Sequence, residues 1–199
     1  MWYKTGKIIF WFFLKVFCGF DVQGREYLPE KGKGFILVSN HISNLDPIVL
    51  GVACRQELNF MAKEELFKNP CFGWILRKVN AFPLKRKGAD ISAIRMAMKR
   101  VNSGGALLIF PEGGRSEDGK LGAGHEGVGF LASKLNVPVI PAFIQGTEKA
   151  LPKGAAFVRP TKISVRFGKQ IPLERRVAYS DVADTVMRAI KHLSCCESN

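Results

Sequence analysis

Short apolar runs alternate with helical patterns along most of the chain, and this alternation restricts its fold more than any other feature. The runs that predict strands cover residues 34–40, 58–63, 81–86, 106–110, 137–144 and 162–168. Between two of them, a helix capped by Asp90 is predicted, with one buried face formed by Ile91, Ile94, Met98 and Val101. A last helical pattern starts at Ser180. Strands alternating with helices are typical of α/β proteins. We therefore predict an α/β fold with a mixed, largely parallel sheet flanked by helices.

The first twenty residues, "MWYKTGKIIFWFFLKVFCGF", are rich in apolar and aromatic side chains. A helix that spans a bilayer needs roughly 20 apolar residues, and the unbroken apolar run here extends only from Ile8 to Leu14, between Lys7 and Lys15. Aromatic rings favour the lipid headgroup boundary and lysines favour anionic lipid. We predict an amphipathic, aromatic interfacial helix over residues 1–20 and a single domain over residues 21–199. The alternative is a helix buried against that domain.

The formal charge of +13 on 199 residues calls for an anionic partner. Nucleic acid, an anionic membrane and a phosphorylated metabolite are the candidates. The basic residues are scattered, their densest run is "KRK" at 85–87, and no recognised nucleic-acid-binding pattern accompanies them, so nucleic acid is disfavoured. The five cysteines lack the paired spacing of a disulfide framework or a zinc site, which favours a reducing cytoplasm.

The stretch "VSNHISNLDP", residues 38–47, places His41 and Asp46 directly after a predicted strand. On one continuous helix the two side chains would point about 140° apart, so a turn is needed to bring them together. Pro47 suits the first helical position and Asp46 the cap before it, which leaves His41 on the loop. A carboxylate bound to one imidazole nitrogen would fix the tautomer and leave the other nitrogen free as a general base. The alternative is a turn in which Asp46 only caps the helix.

The stretch "FPEGGRS", residues 110–116, leaves another predicted strand. Backbone amides at Gly113 and its neighbour can approach a ligand closely. Arg115 can bind a phosphate through two N–H groups, and Ser116 can add a hydrogen bond. Glu112 follows so apolar a strand that its carboxylate needs hydrogen-bond partners. A turn with solvated charges is the alternative.

A third loop, "FPLKRKG" at residues 82–88, carries Lys85, Arg86 and Lys87 just beyond a strand. Such a cluster is by itself most often solvated surface. Ligands of α/β sheets bind beyond the carboxyl ends of the strands, so parallel strands would bring the three loops around one cleft. Arg86 near Arg115 would then form a phosphate site.

Four blocks in this order resemble those of the glycerolipid acyltransferase family, most closely its bacterial 1-acyl-sn-glycerol-3-phosphate acyltransferases. They are "NHISNLDP", "AFPLKR", "FPEGGRS" and "VPVIPAFI", and they extend from residue 40 to residue 144. Each block is weak alone, whereas four in the same order are a specific signal. Gly114 stands where the family commonly has Thr, and Gly124 and His125 stand where it usually has Phe-Lys.

The resemblance implies transfer of a fatty acyl group from acyl-CoA or acyl carrier protein to the sn-2 hydroxyl of lysophosphatidate, which gives phosphatidate. It implies that His41 is the base and Asp46 its partner. It further implies that the acceptor phosphate binds Arg86 and Arg115, with Ser116 beside them, and that Glu112 and Gly113 shape the site. No metal or cofactor is expected.

Other expectations follow from the same resemblance. The partners would be the bilayer and the two substrates, without nucleic acid, at the cytoplasmic face of a bacterial inner membrane. The alternatives are an acyltransferase for another lysophospholipid or an ornithine-type lipid, and a membrane lipid-binding protein without catalysis.

Overall fold

A computed structural model describes residues 2–85, 90–116, 119–173 and 177–195, whose strands form one seven-stranded sheet in the order β1-β7-β6-β2-β5-β3-β4. The strands are β1 Asp21–Gln23, β2 Phe35–Ser39, β3 Leu58–Lys63, β4 Ala81–Leu84, β5 Ala106–Ile109, β6 Val139–Gln145 and β7 Ser164–Phe167. The helices are α1 Trp2–Phe17, α2 Asp46–Ala53, α3 Pro70–Lys78, α4 Ile91–Asn102, α5 Glu126–Leu135, α6 Thr147–Ala150 and α7 Tyr179–Cys195.

Strands β2 to β6 run in one direction, and β7 pairs antiparallel with β6. The predicted α/β class and the mixed, largely parallel sheet are therefore confirmed. All six predicted strands are present. The three-residue β1, which pairs with β7 in parallel, was not predicted because it is too short to show a hydrophobic pattern.

The sheet separates two apolar cores because successive strand residues point to opposite faces. Leu37 of β2 packs with Leu14 of α1 and Val49 of α2 on one face. Its neighbour Val38 packs with residues of α4, α5 and α7, such as Val186, on the other face. The exits of the parallel strands are thus held between two helical layers.

Helix α4 buries part of its predicted face: Val101 is buried and Ile94 and Met98 pack partly buried against the core, but Ile91 does not. Asp90 caps the helix as predicted, since its carboxylate accepts a hydrogen bond from the amide of Ala93 at 3.1 Å. The buried residues are Ala93, Ala97 and Val101, whereas Ile91 is 61% exposed. Small alanines let the helix axis approach the sheet, and the larger Ile94 lies beside that strip.

Helix α1 packs on α2 along one face and exposes the other. Lys7 donates to the carbonyl of Cys54 beyond the α2 end, Tyr3 accepts from the amide of Leu58 at 3.0 Å, and Leu14 is fully buried. The opposite face exposes large apolar side chains, namely Trp2, Ile8, Ile9, Phe12, Val16 and Phe17. Within the described residues, no helix combines the length and the apolarity needed to cross a membrane.

Candidate active site

The exit of β2 is joined to the neighbouring strand β6 by a side chain. Asn40, which is buried, accepts a hydrogen bond from the amide of Ile144 at 2.8 Å and donates to its carbonyl at 2.9 Å. The asparagine thereby continues the pairing of β2 with β6 by one residue. The chain then leaves the sheet, and His41 begins the loop that leads to α2.

His41 and Asp46 are brought together by this loop. Nδ1 of His41 lies 2.8 Å from Oδ2 of Asp46, and the two side chains are 17% and 0% exposed. The amides of Ile42 and Ser43 donate to the same oxygen at 2.7 and 2.8 Å. Because Oδ2 also accepts two amides, we assign Nδ1–H as the donor, which leaves the lone pair of a neutral imidazole on Nε2.

The predicted capping role of Asp46 is wrong. Asp46 is the first residue of α2, and the helix has Leu45 at its N-cap without a side-chain cap. The carboxylate turns back instead and accepts the two amides of the preceding loop, at Ile42 and Ser43. Pro47 lies in the first turn, as predicted.

Glu112 links the His41 loop to the glycine-rich segment after it. Its Oε1 accepts the amide of His41 at 2.9 Å, and its Oε2 accepts the amide of Gly122 at 3.0 Å. The amide of Ser116 donates to the His41 carbonyl at 2.8 Å, and the ring of Phe110 stacks on the imidazole with centroids 3.9 Å apart. The loop after β5 therefore holds His41 through both its backbone and its ring.

Gly113 is a position where a side chain cannot be placed without a shift. Its φ is +64°, and an added Cβ would lie 2.7 Å from Cδ2 of His125. The amide of His125 donates to the carbonyl of Pro111 at 2.8 Å. This contact packs the start of α5 against the Gly113 turn.

An open cleft of about 500 Å³ lies beside these loops. It is lined by Glu112, Gly114, Arg115, Ser116, Lys120, Leu121, Gly122 and Ala123. Arg115 is exposed, so its guanidinium is accessible to a ligand in the cleft. The structure thus brings Glu112, Arg115 and Ser116 of the predicted set to the loop that holds His41.

The third predicted loop leaves a more distant strand. Strands β5 and β3 lie between β2 and β4, so β4 is about 14 Å from β2 at the usual strand spacing. The amide of Lys85 donates a hydrogen bond to the carboxylate of Asp90 at 2.9 Å. Arg86 lies outside the described residues, so its part in a phosphate site stays a prediction.

Sequence reasoning missed three polar residues here: Asn40, Lys120 and Thr147. The hydroxyl of Thr147 lies 2.5 Å from Oδ1 of Asp46 and is fully buried. A Gly-Thr pair directly after the "VPVIPAFIQ" strand was the available signal, but nothing local shows that this strand ends beside Asp46. Among the described residues, no group of three or more His, Cys, Asp or Glu side chains could hold a metal ion.

A family model described as "Acyltransferase" matches residues 19–145 of the chain. The chain belongs to this acyltransferase family. The match includes the described site residues His41, Asp46, Glu112, Gly113 and Arg115, and it ends just before Thr147. The predicted family is therefore confirmed.

Named relatives within the acyltransferase family agree with this assignment. A chloroplastic 1-acyl-sn-glycerol-3-phosphate acyltransferase of Brassica napus is 36% identical over 68% of this chain and 40% of its own length. An enzyme of the same name from Bacillus subtilis is 36% identical over 64% of this chain and 63% of its own length. The chain thus spans less than two thirds of either relative.

A solved structure of the family has the same fold. The crystal structure of the 1-acyl-sn-glycerophosphate acyltransferase from Thermotoga maritima superposes with a TM-score of 0.77 and 30% sequence identity. The match covers 100% of this chain and 80% of that one.

Proposed function

We propose that this protein transfers a fatty acyl group from a thioester donor, acyl-CoA or acyl carrier protein, to the sn-2 hydroxyl of 1-acyl-glycerol-3-phosphate. The 2.8 Å contact between His41 and Asp46 is the observation that carries this proposal. Glu112 and Ser116, which line the cleft with Arg115, bond the backbone of His41. The names of the relatives support the choice of lysophosphatidate as acceptor.

In the proposed reaction, Nε2 of His41 takes the proton of the acceptor hydroxyl as its oxygen attacks the thioester carbonyl. Asp46 holds the Nδ1–H tautomer and stabilises the imidazolium that forms. The tetrahedral intermediate then breaks its carbon–sulfur bond, and the imidazolium returns the proton to the departing thiolate. The proton balance closes on His41 alone, so we propose no metal and no organic cofactor.

The acceptor phosphate is proposed to bind at the basic side of the cleft. Arg115 offers two parallel N–H donors to phosphate oxygens, and Lys120 and Ser116 line the same space. Arg86 completes the predicted set. Glu112, whose two carboxylate oxygens accept backbone amides, is proposed to shape the site by holding its loops.

The membrane is the proposed source of the acceptor lipid. The outer face of α1 exposes Ile9 by 63% and Phe12 by 64%, and Trp2 of this helix contacts Trp74 of α3 with ring centroids 5.9 Å apart. Trp74 and Ile75 of α3 are themselves about half exposed. We propose that both helices rest on the bilayer as a peripheral contact, at the cytoplasmic face of a bacterial inner membrane.

The test is thioester consumption by the purified protein in mixed micelles, with each donor in turn. The acceptors are lysophosphatidate, a lysophospholipid with another headgroup, a lyso-ornithine lipid and uncharged monoacylglycerol. We expect turnover with lysophosphatidate and at least about 100-fold less in His41→Ala, the scale of a lost general base. His192→Ala, which replaces a histidine of α7, is the matched control with unchanged turnover.

The other outcomes would each contradict a part of this proposal. Turnover with another acceptor alone would assign the protein to that lipid. Vesicle binding without turnover on any donor and acceptor pair would favour the lipid-binding protein. Wild-type turnover in a folded His41→Ala variant would reject His41 as the base.

A further inference from the structure

Thr147 is placed beside the candidate base by the end of β6. That strand ends at Gln145, and Gly146 turns the chain with a φ of +90°. An added Cβ at Gly146 would lie 2.1 Å from the carbonyl oxygen of Lys162, so only glycine fits there. Thr147 then begins α6 with its side chain directed to Asp46.

The carboxylate of Asp46 is divided between two sets of donors. Its Oδ2 accepts Nδ1 of His41 and the amides of Ile42 and Ser43. Its Oδ1 accepts a hydrogen bond from the hydroxyl of Thr147 at 2.5 Å. Both side chains are fully buried, so water does not substitute readily for that hydroxyl.

We infer that Thr147 is a positioning residue for catalysis, which holds the Asp46 carboxylate so that Oδ2 stays aligned with Nδ1 of His41. This inference rests on the proposed function. The hydroxyl prevents rotation of the carboxylate away from the imidazole.

Removal of this hydroxyl should weaken the pairing of Asp46 with His41. Without it the carboxylate can turn about its Cβ–Cγ bond, so Oδ2 is less well aligned with Nδ1 and stabilises the imidazolium less. Among the described residues, the titratable groups recorded against His41 are Asp46, through its side chain, and Glu112, through the His41 amide; Thr147→Val alters neither residue. Relative to the wild type, protonation of His41 should therefore require a lower pH.

Thr147→Val keeps the side-chain shape and removes the hydroxyl. We expect kcat to fall roughly tenfold, since one buried charged hydrogen bond is lost, with an unchanged KM for the acceptor. The acidic limb of kcat/KM should move down by about half a pH unit. Thr147→Ser, which keeps the hydroxyl, should restore both.

A second measurement is independent of activity. The chain has three histidines, so the imidazole signal that His41→Ala removes from the NMR spectrum identifies His41. Its titration midpoint should fall in Thr147→Val and return in Thr147→Ser. The NMR result stands even when no acyl acceptor is turned over, which separates failure of this inference from failure of the proposed function.

Gln56→Leu is the matched control for lost stability. Gln56 is a buried side chain that bonds the backbone of Gly32 and Lys33. This variant should lower the melting temperature without moving the His41 midpoint. An unmoved midpoint in folded Thr147→Val, or activity lost only in proportion to stability, would overturn the inference. Should Thr147→Val not fold, Thr147→Cys makes the same comparison with a weak donor.

Discussion

At the scale of single residues, Glu112 shows how one carboxylate can hold two loops of a site together. Its two oxygens accept the amides of His41 and Gly122, which lie on different loops. Glu112→Gln keeps the shape but leaves one acceptor oxygen, so one of the two loops is released. We expect kcat/KM to fall roughly tenfold, the cost of one charge-assisted hydrogen bond.

Amide hydrogen exchange measures this release directly. Either the His41 or the Gly122 amide should exchange faster in Glu112→Gln than in the wild type. Glu126→Gln, a change of an exposed carboxylate in the first turn of α5, is the control and should leave both amides protected. Protection of both amides in Glu112→Gln would show that the loops hold without the carboxylate.

The sequence predicted the residues of this site better than their contacts. His41 and Asp46 are five positions apart, so local turn geometry was enough to expect them together. Thr147 is 101 positions from Asp46, and only the pairing of β2 with β6 brings it near. The cap expected of Asp46 was wrong because a buried carboxylate beside three local donors accepts those donors in preference to its own helix end.

At the scale of elements, α1 has two faces with different roles. The double variant Ile9→Glu and Phe12→Glu places charges on side chains that are 63% and 64% exposed. We expect weaker sedimentation with anionic vesicles and an unchanged melting temperature, because the face that packs on the domain is intact. Leu14→Ala, on the buried face, should instead lower the free energy of unfolding by about 2 to 5 kcal/mol. Unchanged sedimentation of the double variant would contradict the membrane contact.

The burial of Tyr3 on the packed face of α1 should make the stability of the protein depend on pH in the alkaline range. Burial raises the pKa of Tyr3 from 10.0 to about 12, while the amide of Leu58 that donates to its hydroxyl acts in the opposite direction. The folded pKa is the higher one, so the stabilisation is present below pH 10 and is lost as the pH rises from 10 to 12.

Urea unfolding of the wild type and Tyr3→Phe at pH 9 and pH 11 tests this. The stability advantage of the wild type should shrink at the higher pH, by about 1.4 kcal/mol, since pH 11 lies midway between the two pKa values. Burial lowers the pKa of Lys7, whose contribution has the opposite sign and is common to both proteins. An advantage that does not change with pH would show that Tyr3 is not buried by the fold.

Elements with a strong hydrophobic pattern were predictable, and those with a weak one were not. The six predicted strands have at least four residues each, whereas β1 has three residues at the sheet edge beside β7. The buried face of α4 was only partly predicted, because the pattern favours large side chains, while close packing on the sheet also selected Ala93 and Ala97.

At the scale of the whole molecule, the net charge of +13 should govern how the protein approaches a membrane. Binding to vesicles that contain anionic lipid should weaken as ionic strength rises beyond about 0.15 M, because exposed charges are then screened. Vesicles of neutral lipid should bind more weakly and with less salt dependence. Retention on DNA at that ionic strength without vesicle binding would point to nucleic acid instead.

The largely parallel character of the sheet could be predicted, whereas strand order could not. Helical patterns between strands imply parallel neighbours. They do not show that β2 lies between β5 and β6, which is the arrangement that brings three strand exits to one site. Order depends on packing between distant segments, and no single stretch of sequence records it.

The turn at Gly146 has a practical consequence for anyone who trims this chain. The family match ends at residue 145, and a fragment cut at that limit would retain His41 and Asp46 but lose the hydroxyl at Thr147. It would also lose β7 and α7, which cover β6 and one core. A boundary drawn from sequence similarity alone would therefore produce a fragment that looks complete by its motifs and lacks part of what supports them.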